Sequence, residues 1–389
     1  MRFTVLDSWR GISALLVASF HLPVLSHQFA LPFLRNAFLF VDFFFVLSGF
    51  ILTHAYAAKL NDRLDGASFM VRRFGRVWPL HIAVLAAFVA VELLKLVLSS
   101  VAGVSVGAPA FSATGPNPLH DLPANVLLLQ GMGLTAEPHW NGPSWSISAE
   151  FWTYLVFAVV AITFARARGM VMAILGAASL LALVALSTRG MDATTDYGFL
   201  RCLAGFAAGH LAYLVHTRMP RFAGLGATLA EIAAVAAVVA FVSLAWRSSL
   251  SFAAPFLFAI VVVVFSAERG AVSRALQSGP FQRLGDWSYS IYMVHGLVAF
   301  VFALAASVVQ RKLGLDLWRT ITEDGIQLRV LTHQSTLLLD LLHAAYLLVV
   351  LTLAPLTYRF VEEPGRRMFN ALARRIEARG PVLARGVPR

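Results

Sequence analysis

Ten apolar stretches recur along this chain, each close to the ~20 residues that a helix needs to cross a bilayer. They lie at 9–26, 37–57, 78–98, 145–165, 170–187, 197–216, 222–245, 249–267, 286–309 and 335–358. In hydrocarbon the backbone must satisfy its own N–H and C=O groups, so each stretch is expected to be a helix. Composition agrees: 59% of the 389 residues are hydrophobic, 13% are charged, and the mean hydropathy is +0.74. That is far too apolar for a soluble domain of this length. The expected fold is all-α, a polytopic membrane bundle of about ten transmembrane helices.

Charge sets the orientation. A net charge of +11 would point to nucleic acid in a soluble protein. Here the basic residues cluster in short loops between apolar segments and act as topology signals. Lys59, Arg63, Arg72, Arg73, Arg76, Arg166, Arg168, Arg218, Arg221 and the tail from Arg359 to Arg389 fall on one side. The loop from Ser99 to Pro143 has no Lys or Arg. Both termini are therefore expected in the cytoplasm, and no second phosphate-binding cluster is expected on the outer loops. Asn125-VLLLQGMGL is too short to span and reads as an interfacial or re-entrant piece. Residues 1–365 form the membrane domain, with 366–389 a basic cytoplasmic tail that reads as a short surface helix on anionic lipid. The first segment does not resemble a signal peptide. Cys202, the single cysteine, reads as a small core residue.

Four ionisable residues sit inside these segments: His21, Asp42, Glu150 and His295. Such groups are costly at depth, which makes them functional candidates by default. Helix rise puts His21 and His295 ~18 and ~14 Å above the inner ends of their segments, with Asp42 and Glu150 ~7–8 Å below the outer ends. All four fall in one slab, so a shared polar cavity is expected. The competing expectation is a set of separate packing pairs. His21 is the leading catalytic candidate, because neutral imidazole can take a proton from a hydroxyl near pH 7. His54, His81 and His210 lack the spacing of metal ligands, and no metal is expected.

A second constellation is Arg72-Arg73-Phe74-Gly75-Arg76-Val77-Trp78-Pro79. Arg73 and Arg76, three apart, share a helical face and can converge on one phosphate. Arg72 and Trp78 would add a second charge and a stacking surface, although an Arg cluster before a membrane helix is by itself only a topology signal. Trp140, Trp145 and Trp152 fit an interfacial belt. In Gly142-Pro143-Ser144-Trp145-Ser146-Ile147-Ser148-Ala149-Glu150, the three serines either cap a helix or line the cavity. Ser48-Gly49 in Val41-DFFFVLSGFIL-Leu52 suits close helix packing.

In order, these motifs resemble the acyltransferase family 3 of integral membrane acyltransferases, over nearly the whole chain. The matching elements are Leu6-Asp7-Ser8-Trp9-Arg10-Gly11 with His21, Phe43-FFVLSGFIL-Leu52, Arg73-x-x-Arg76 with Trp78-Pro79, and Pro143-Ser144-Trp145-Ser146-Ile147-Ser148-Ala149-Glu150. Gly285-Asp286-Trp287-Ser288-Tyr289-Ser290-Ile291-Tyr292-Met293-Val294-His295 and Val361-Glu362-Glu363-Pro364 complete the set. Ser8-Trp9 stands where the family commonly has Gly-Leu, and Ala149 where it has Val. Many members carry a C-terminal SGNH-type hydrolase domain. None is expected here, so the chain would transfer the acyl group itself or hand it to a separate protein.

The resemblance implies O-acylation, acetylation being the expected case, with cytoplasmic acyl-coenzyme A as donor substrate and no permanently bound cofactor. Donor phosphates would dock on Arg72, Arg73, Arg76 and Trp78, with Arg10 either joining them or holding an ion pair. His21 would act as general base or as a transient acyl carrier, and Glu150, Asp42 and His295 would orient an imidazole or bind acceptor hydroxyls. The implied acceptor is a glycan or glycolipid hydroxyl approaching from outside a bacterial inner membrane, against Trp140, Trp145, Ser146, Ser148 and Tyr289. The rival class is a proton-coupled transporter or flippase, which also uses midplane His, Asp and Glu. A transporter is expected to show two related halves with broken helices, a symmetry this sequence lacks.

Overall fold

The computed structural model describes residues 2–219, 223–323 and 326–378. Arg221, the start of the expected segment at 222 and the tail beyond Ala378 lie outside the described residues. Ten long helices occupy the ten expected positions: α1 Thr4–Phe20, α2 Phe40–Tyr56, α3 Arg63–Ala102, α4 Trp145–Thr163, α5 Arg168–Leu186, α6 Gly198–His216, α7 Leu225–Ala245, α8 Ala254–Phe265, α9 Ser288–Leu313 and α10 Thr336–Thr357. Among the described residues, eight are long and apolar enough to cross a membrane on their own. The other two positions hold shorter helices, α1 and the stretch Ser249–Phe265 that contains α8.

Three features depart from the sequence reading. First, α1 ends at Phe20, and His21 is its C-cap, its backbone N–H bonded to the carbonyls of Val17 and Ala18. Pro23 explains the stop: it has no N–H, and it disfavours helical backbone at the preceding residue, Leu22. Second, α3 runs 40 residues without interruption, about 60 Å by helix rise, so the arginine cluster lies well inside the helix rather than at its start. Third, a hairpin of β1 Trp318–Glu323 and β2 Ile326–Leu331 joins α9 to α10. Leu331 donates to the Pro23 carbonyl at 2.7 Å and accepts from the Leu25 N–H at 2.9 Å, tying the hairpin to the chain just beyond His21.

A final helix, α11 Glu363–Glu377, continues α10 through one π-type turn at Tyr358–Glu362. It packs along the first half of α3: Phe74 meets Phe369 edge-on at 5.4 Å, and Arg72 grips Glu377 at 2.8 and 2.9 Å. A Cβ at Gly75 would strike Phe369, and one at Gly365 would strike Pro79. Glycine is what lets these helices touch. The same holds between α2 and α6, where Gly49 and Gly209 bring backbone against backbone and Gly205 makes room for Phe45, a small-x-x-x-small packing.

The segment after α3 makes one short helical turn, Leu122–Val126, and then irregular chain, with Asn125 and Leu128 both buried. Side chains satisfy it. His81 bonds the Asn125 carbonyl at 2.8 Å, Trp78 the Val126 carbonyl at 3.2 Å, and Ser148 and Trp152 the Leu128 carbonyl at 2.7 and 2.8 Å. Non-helical chain is tolerated among apolar helices only on these terms.

Candidate active site

Helices α1 and α9 lie side by side and run in the same direction. At their starts, Arg10 donates to Ser288 Oγ at 2.8 Å and to the Gly285 carbonyl at 3.2 Å. Some 10 to 16 Å further along by helix rise, His21 and His295 face each other with ring centroids 4.9 Å apart. Tyr346 of α10 braces both helices there, donating to the carbonyls of Ala18 at 3.0 Å and His295 at 3.3 Å.

At the Arg10 end, five helices enclose a cavity of about 810 Å³ including its mouth. Its lining falls at helical spacing: Ser146, Glu150 and Tyr154 on α4; Val41, Phe44, Ser48 and Ile51 on α2; Arg73, Arg76 and Val77 on α3; Ser288, Tyr289 and Tyr292 on α9; and Arg10 on α1. Residues three or four apart share one helix face, which is how short motifs from distant segments meet. Arg10 is also 3.3 Å from Asp7, and Arg76 pairs with the buried Glu362 while its guanidinium lies over the Tyr289 ring. Glu362 also accepts from Ser290 Oγ at 2.8 Å. Arg73 differs: among the described residues it has no carboxylate partner. It donates to the Tyr56 hydroxyl at 3.2 Å, and its Nε is buried without a hydrogen-bond partner. Opposite, Glu150 accepts from Ser48.

Tyr292 connects this cavity to the histidines. Its ring lines the cavity and meets His295 edge-on at 5.5 Å. Its hydroxyl is 2.7 Å from Ser146 Oγ and 3.0 Å from the Pro143 carbonyl. His21 Nδ1 lies 2.8 Å from the Val17 carbonyl. A carbonyl only accepts, so Nδ1 carries the proton and Nε2 keeps the free lone pair. His295 Nδ1 faces the Ile291 carbonyl at 3.3 Å, and its Nε2 is buried without a partner.

The single cavity expected for His21, Asp42, Glu150 and His295 is therefore divided into three settings. Glu150 lines the basic cavity, and the two histidines pair beyond Tyr292. Asp42 lies apart, gripped by buried Arg201 through Nε at 3.0 Å and Nη2 at 2.7 Å. Arg201 also donates to the carbonyls of Ala193 and Phe38 and lies over Trp145. Trp145 is thus packed beside an ion pair rather than open to a sugar. Trp140 is buried with Nε1 on the Pro118 carbonyl at 3.0 Å, and Ser148 is consumed by Leu128 and Gly131. Arg72 and Trp78 also point elsewhere, to Glu377 and Val126. Ser144 is the N-cap residue of α4, but its side chain makes no capping hydrogen bond.

Sequence reasoning passed over Ser48, Tyr154, Tyr292 and Glu362. Ser48 had been assigned to packing, yet only Gly49 makes the close approach. Tyr292 and Glu362 stood inside quoted motifs, where helical spacing from Tyr289 and the pairing need of Arg76 were the available signals.

The chain belongs to acyltransferase family 3: the family profile, described as "Acyltransferase domain", matches residues 3–323. Among characterised proteins it is similar to acyltransferase MdmB of Streptomyces mycarofaciens, 25% identical over 279 residues, covering 66% of this chain and 67% of that protein. It is also similar to "Protein 2 in picA locus" of Rhizobium radiobacter, 39% identical over 90 residues. That match spans 23% of this chain and 45% of the relative, less than half its length. No solved structure matches the chain significantly.

Proposed function

We propose that the protein is a membrane-embedded O-acyltransferase that moves an acyl group, acetyl in the simplest case, from cytoplasmic acyl-coenzyme A to a hydroxyl of a glycan or glycolipid. The observation that carries this reading is the continuity from three cavity arginines, through Tyr292, to a histidine pair with free Nε2 atoms. Arg73, with an unsatisfied guanidinium, and Arg10 and Arg76 beside it hold the donor phosphates. The thioester lies toward Tyr292. His21 Nε2 takes the proton of the acceptor hydroxyl, the oxygen bonds to the acyl carbon, the C–S bond breaks, and the proton leaves with the thiolate as free coenzyme A. His295 and Glu150 position the reacting groups, and Asp42 holds the helices that carry them. The positive-inside rule supports the donor side: Arg168 and Arg72 cap the same end of the bundle as the cavity.

The test uses sealed membrane vesicles with the cytoplasmic face outward, supplied with radiolabelled acetyl-coenzyme A. Label is expected in luminal glycan or glycolipid, with free coenzyme A remaining outside. Uptake of intact donor or acceptor with no acylated product would overturn the enzyme in favour of a carrier. Product confined to the outer face of the vesicles would keep the chemistry and reverse the acceptor side.

A further inference from the structure

The cavity that holds Arg10, Arg73 and Arg76 ends in a wall, and the wall stands between it and the histidines. Phe44, Ser146 and Tyr292 are among its lining residues, whereas His21 and His295 are not. We propose that Tyr292, braced by Phe44 and Ser146, selects the acyl group by length, admitting short donors such as acetyl or propionyl and shutting out longer chains. This inference rests on the acyltransferase reading above and names the donor class of the same site.

The two ends of the cavity differ. Tyr154 marks the charged end: its ring meets Phe69 edge-on at 6.3 Å, and the Arg73 guanidinium lies over that same Phe69 ring at 5.8 Å. Ser146 marks the wall. Along α4 the two are about 12 Å apart by helix rise. An extended pantetheine arm is at least as long as this depth, so a donor whose phosphates sit on Arg73 fills the cavity with its arm and presents its acyl group at the wall. The wall is held from several sides. Tyr292 is buried, and its hydroxyl lies 2.7 Å from Ser146 Oγ and donates to the Pro143 carbonyl at 3.0 Å. Ser146 Oγ is 3.0 Å from the same carbonyl. Asn141, two residues earlier, donates to the Met293 carbonyl at 3.0 Å and fastens this turn to α9. The Tyr292 ring meets Phe44 edge-on at 5.6 Å and His295 at 5.5 Å. A phenol tethered at its oxygen and packed at its edges yields poorly to an extra group. Room behind it would show itself in the opposite sense, because a longer chain in an apolar cavity buries more methylenes and binds more tightly. The lining near the wall, Val41, Phe44 and Ile147, is apolar, so shape and not polarity is what excludes a long chain.

The experiment is calorimetric titration of the full chain in phosphatidylcholine nanodiscs with S-ethyl- and S-octyl-coenzyme A, thioethers that cannot transfer an acyl group. Empty nanodiscs give the blank for partition into lipid. The parent is expected to bind the ethyl compound about tenfold or more tightly than the octyl compound, the cost of forcing a chain into a filled space. Tyr292→Ala removes the ring and should erase or reverse this preference, since the octyl chain then gains apolar contact. Tyr292→Phe keeps the ring and should keep the preference for ethyl. Phe44→Ala opens the same wall without touching the hydroxyl's hydrogen bonds. It should shift the preference in the same direction, and it decides the matter if Tyr292→Ala does not fold. Ile51→Ala, about two turns from Phe44 on α2, should leave the ratio of the two affinities as in the parent. A parent that binds the octyl compound as tightly as the ethyl, a folded Tyr292→Ala that retains the preference, or an equal loss of preference in Ile51→Ala overturns this inference alone. A parent that binds neither thioether nor acetyl-coenzyme A overturns the acyltransferase reading on which it rests.

Discussion

Two guanidinium groups in this bundle, the buried Arg201 and the half-buried Arg73, behave in opposite ways. Arg201 is nearly saturated: Asp42 takes Nε and Nη2, and the Ala193 and Phe38 carbonyls take donors from Nη1 and Nη2. Trp145 covers its face. Arg73 is under-satisfied, with one bond to Tyr56 and a buried Nε that has none, and it opens onto the cavity that α2, α3 and α4 help to line. A charge with four of its five N–H donors met by the protein, two of them by a carboxylate, holds helices together. A charge left with donors to spare faces something the protein does not supply. The contrast separates structural from ligand-binding ionisable residues where depth in the membrane alone cannot.

The comparison breaks most visibly at its saturated end. Asp42→Ala leaves Arg201 buried and uncompensated, and removing one partner of such a pair costs about 3–5 kcal/mol. The expected outcome is loss of folded protein from detergent extracts, read by size exclusion and by the thermal midpoint. The double variant Asp42→Leu/Arg201→Met removes both charges and should recover much of that loss. A stable, inactive Asp42→Ala protein would instead put Asp42 in the chemistry.

His21 should show the reverse pattern. Its ring touches His295 and Phe20 at the end of α1, where no ion pair depends on it. His21→Ala is expected to keep its thermal midpoint within a few degrees while turnover falls ~100-fold or more, the usual worth of a general base. Retention of a tenth of parental turnover would remove the base assignment and turn attention to His295, whose Nε2 is equally unpartnered.

How far the sequence reaches follows the same division. Helix positions were legible because apolar length is a local property. Arg10, Arg76, Glu150 and Tyr289 were legible one by one as motif residues, but their meeting in one cavity was not, because it depends on how five separate helices pack. Asp42 was misplaced because its partner, Arg201, lies 159 positions away, and depth along a helix says nothing about rotation around it. Trp140 and Trp145 read as interfacial by type, but their surroundings are set by tertiary packing. The approach of Arg35, Arg247 and Arg329 was invisible for a related reason: single arginines on a short helix, in a connection and on a strand have no common spacing to read. The hairpin that delivers Arg329 sits in a polar connection that carried no strong strand signal.

The smallest expected effect tests whether unsatisfied donors mark the donor site. Arg72 and Arg73 are neighbours in sequence, equal in charge, and differ in what they meet. Arg72 is held by Glu377 at 2.8 Å, whereas Arg73 faces the cavity with Nε unmet. One charge-assisted hydrogen bond to a ligand is worth about 1.5–3 kcal/mol, so Arg73→Ala should weaken acyl-coenzyme A binding roughly tenfold or somewhat more. Arg73→Lys should recover only part of this, because ammonium cannot reproduce a planar fork. Arg72→Ala removes a partly exposed ion pair, worth about 0–1 kcal/mol to stability, and should leave donor affinity within about twofold, consistent with its weak coupling to the cavity. Titration of each variant with a non-hydrolysable acyl-coenzyme A analogue separates the two. Equal losses at both positions would mean that the cluster attracts the donor by net charge alone, and that hydrogen-bond satisfaction does not distinguish a binding arginine from a structural one.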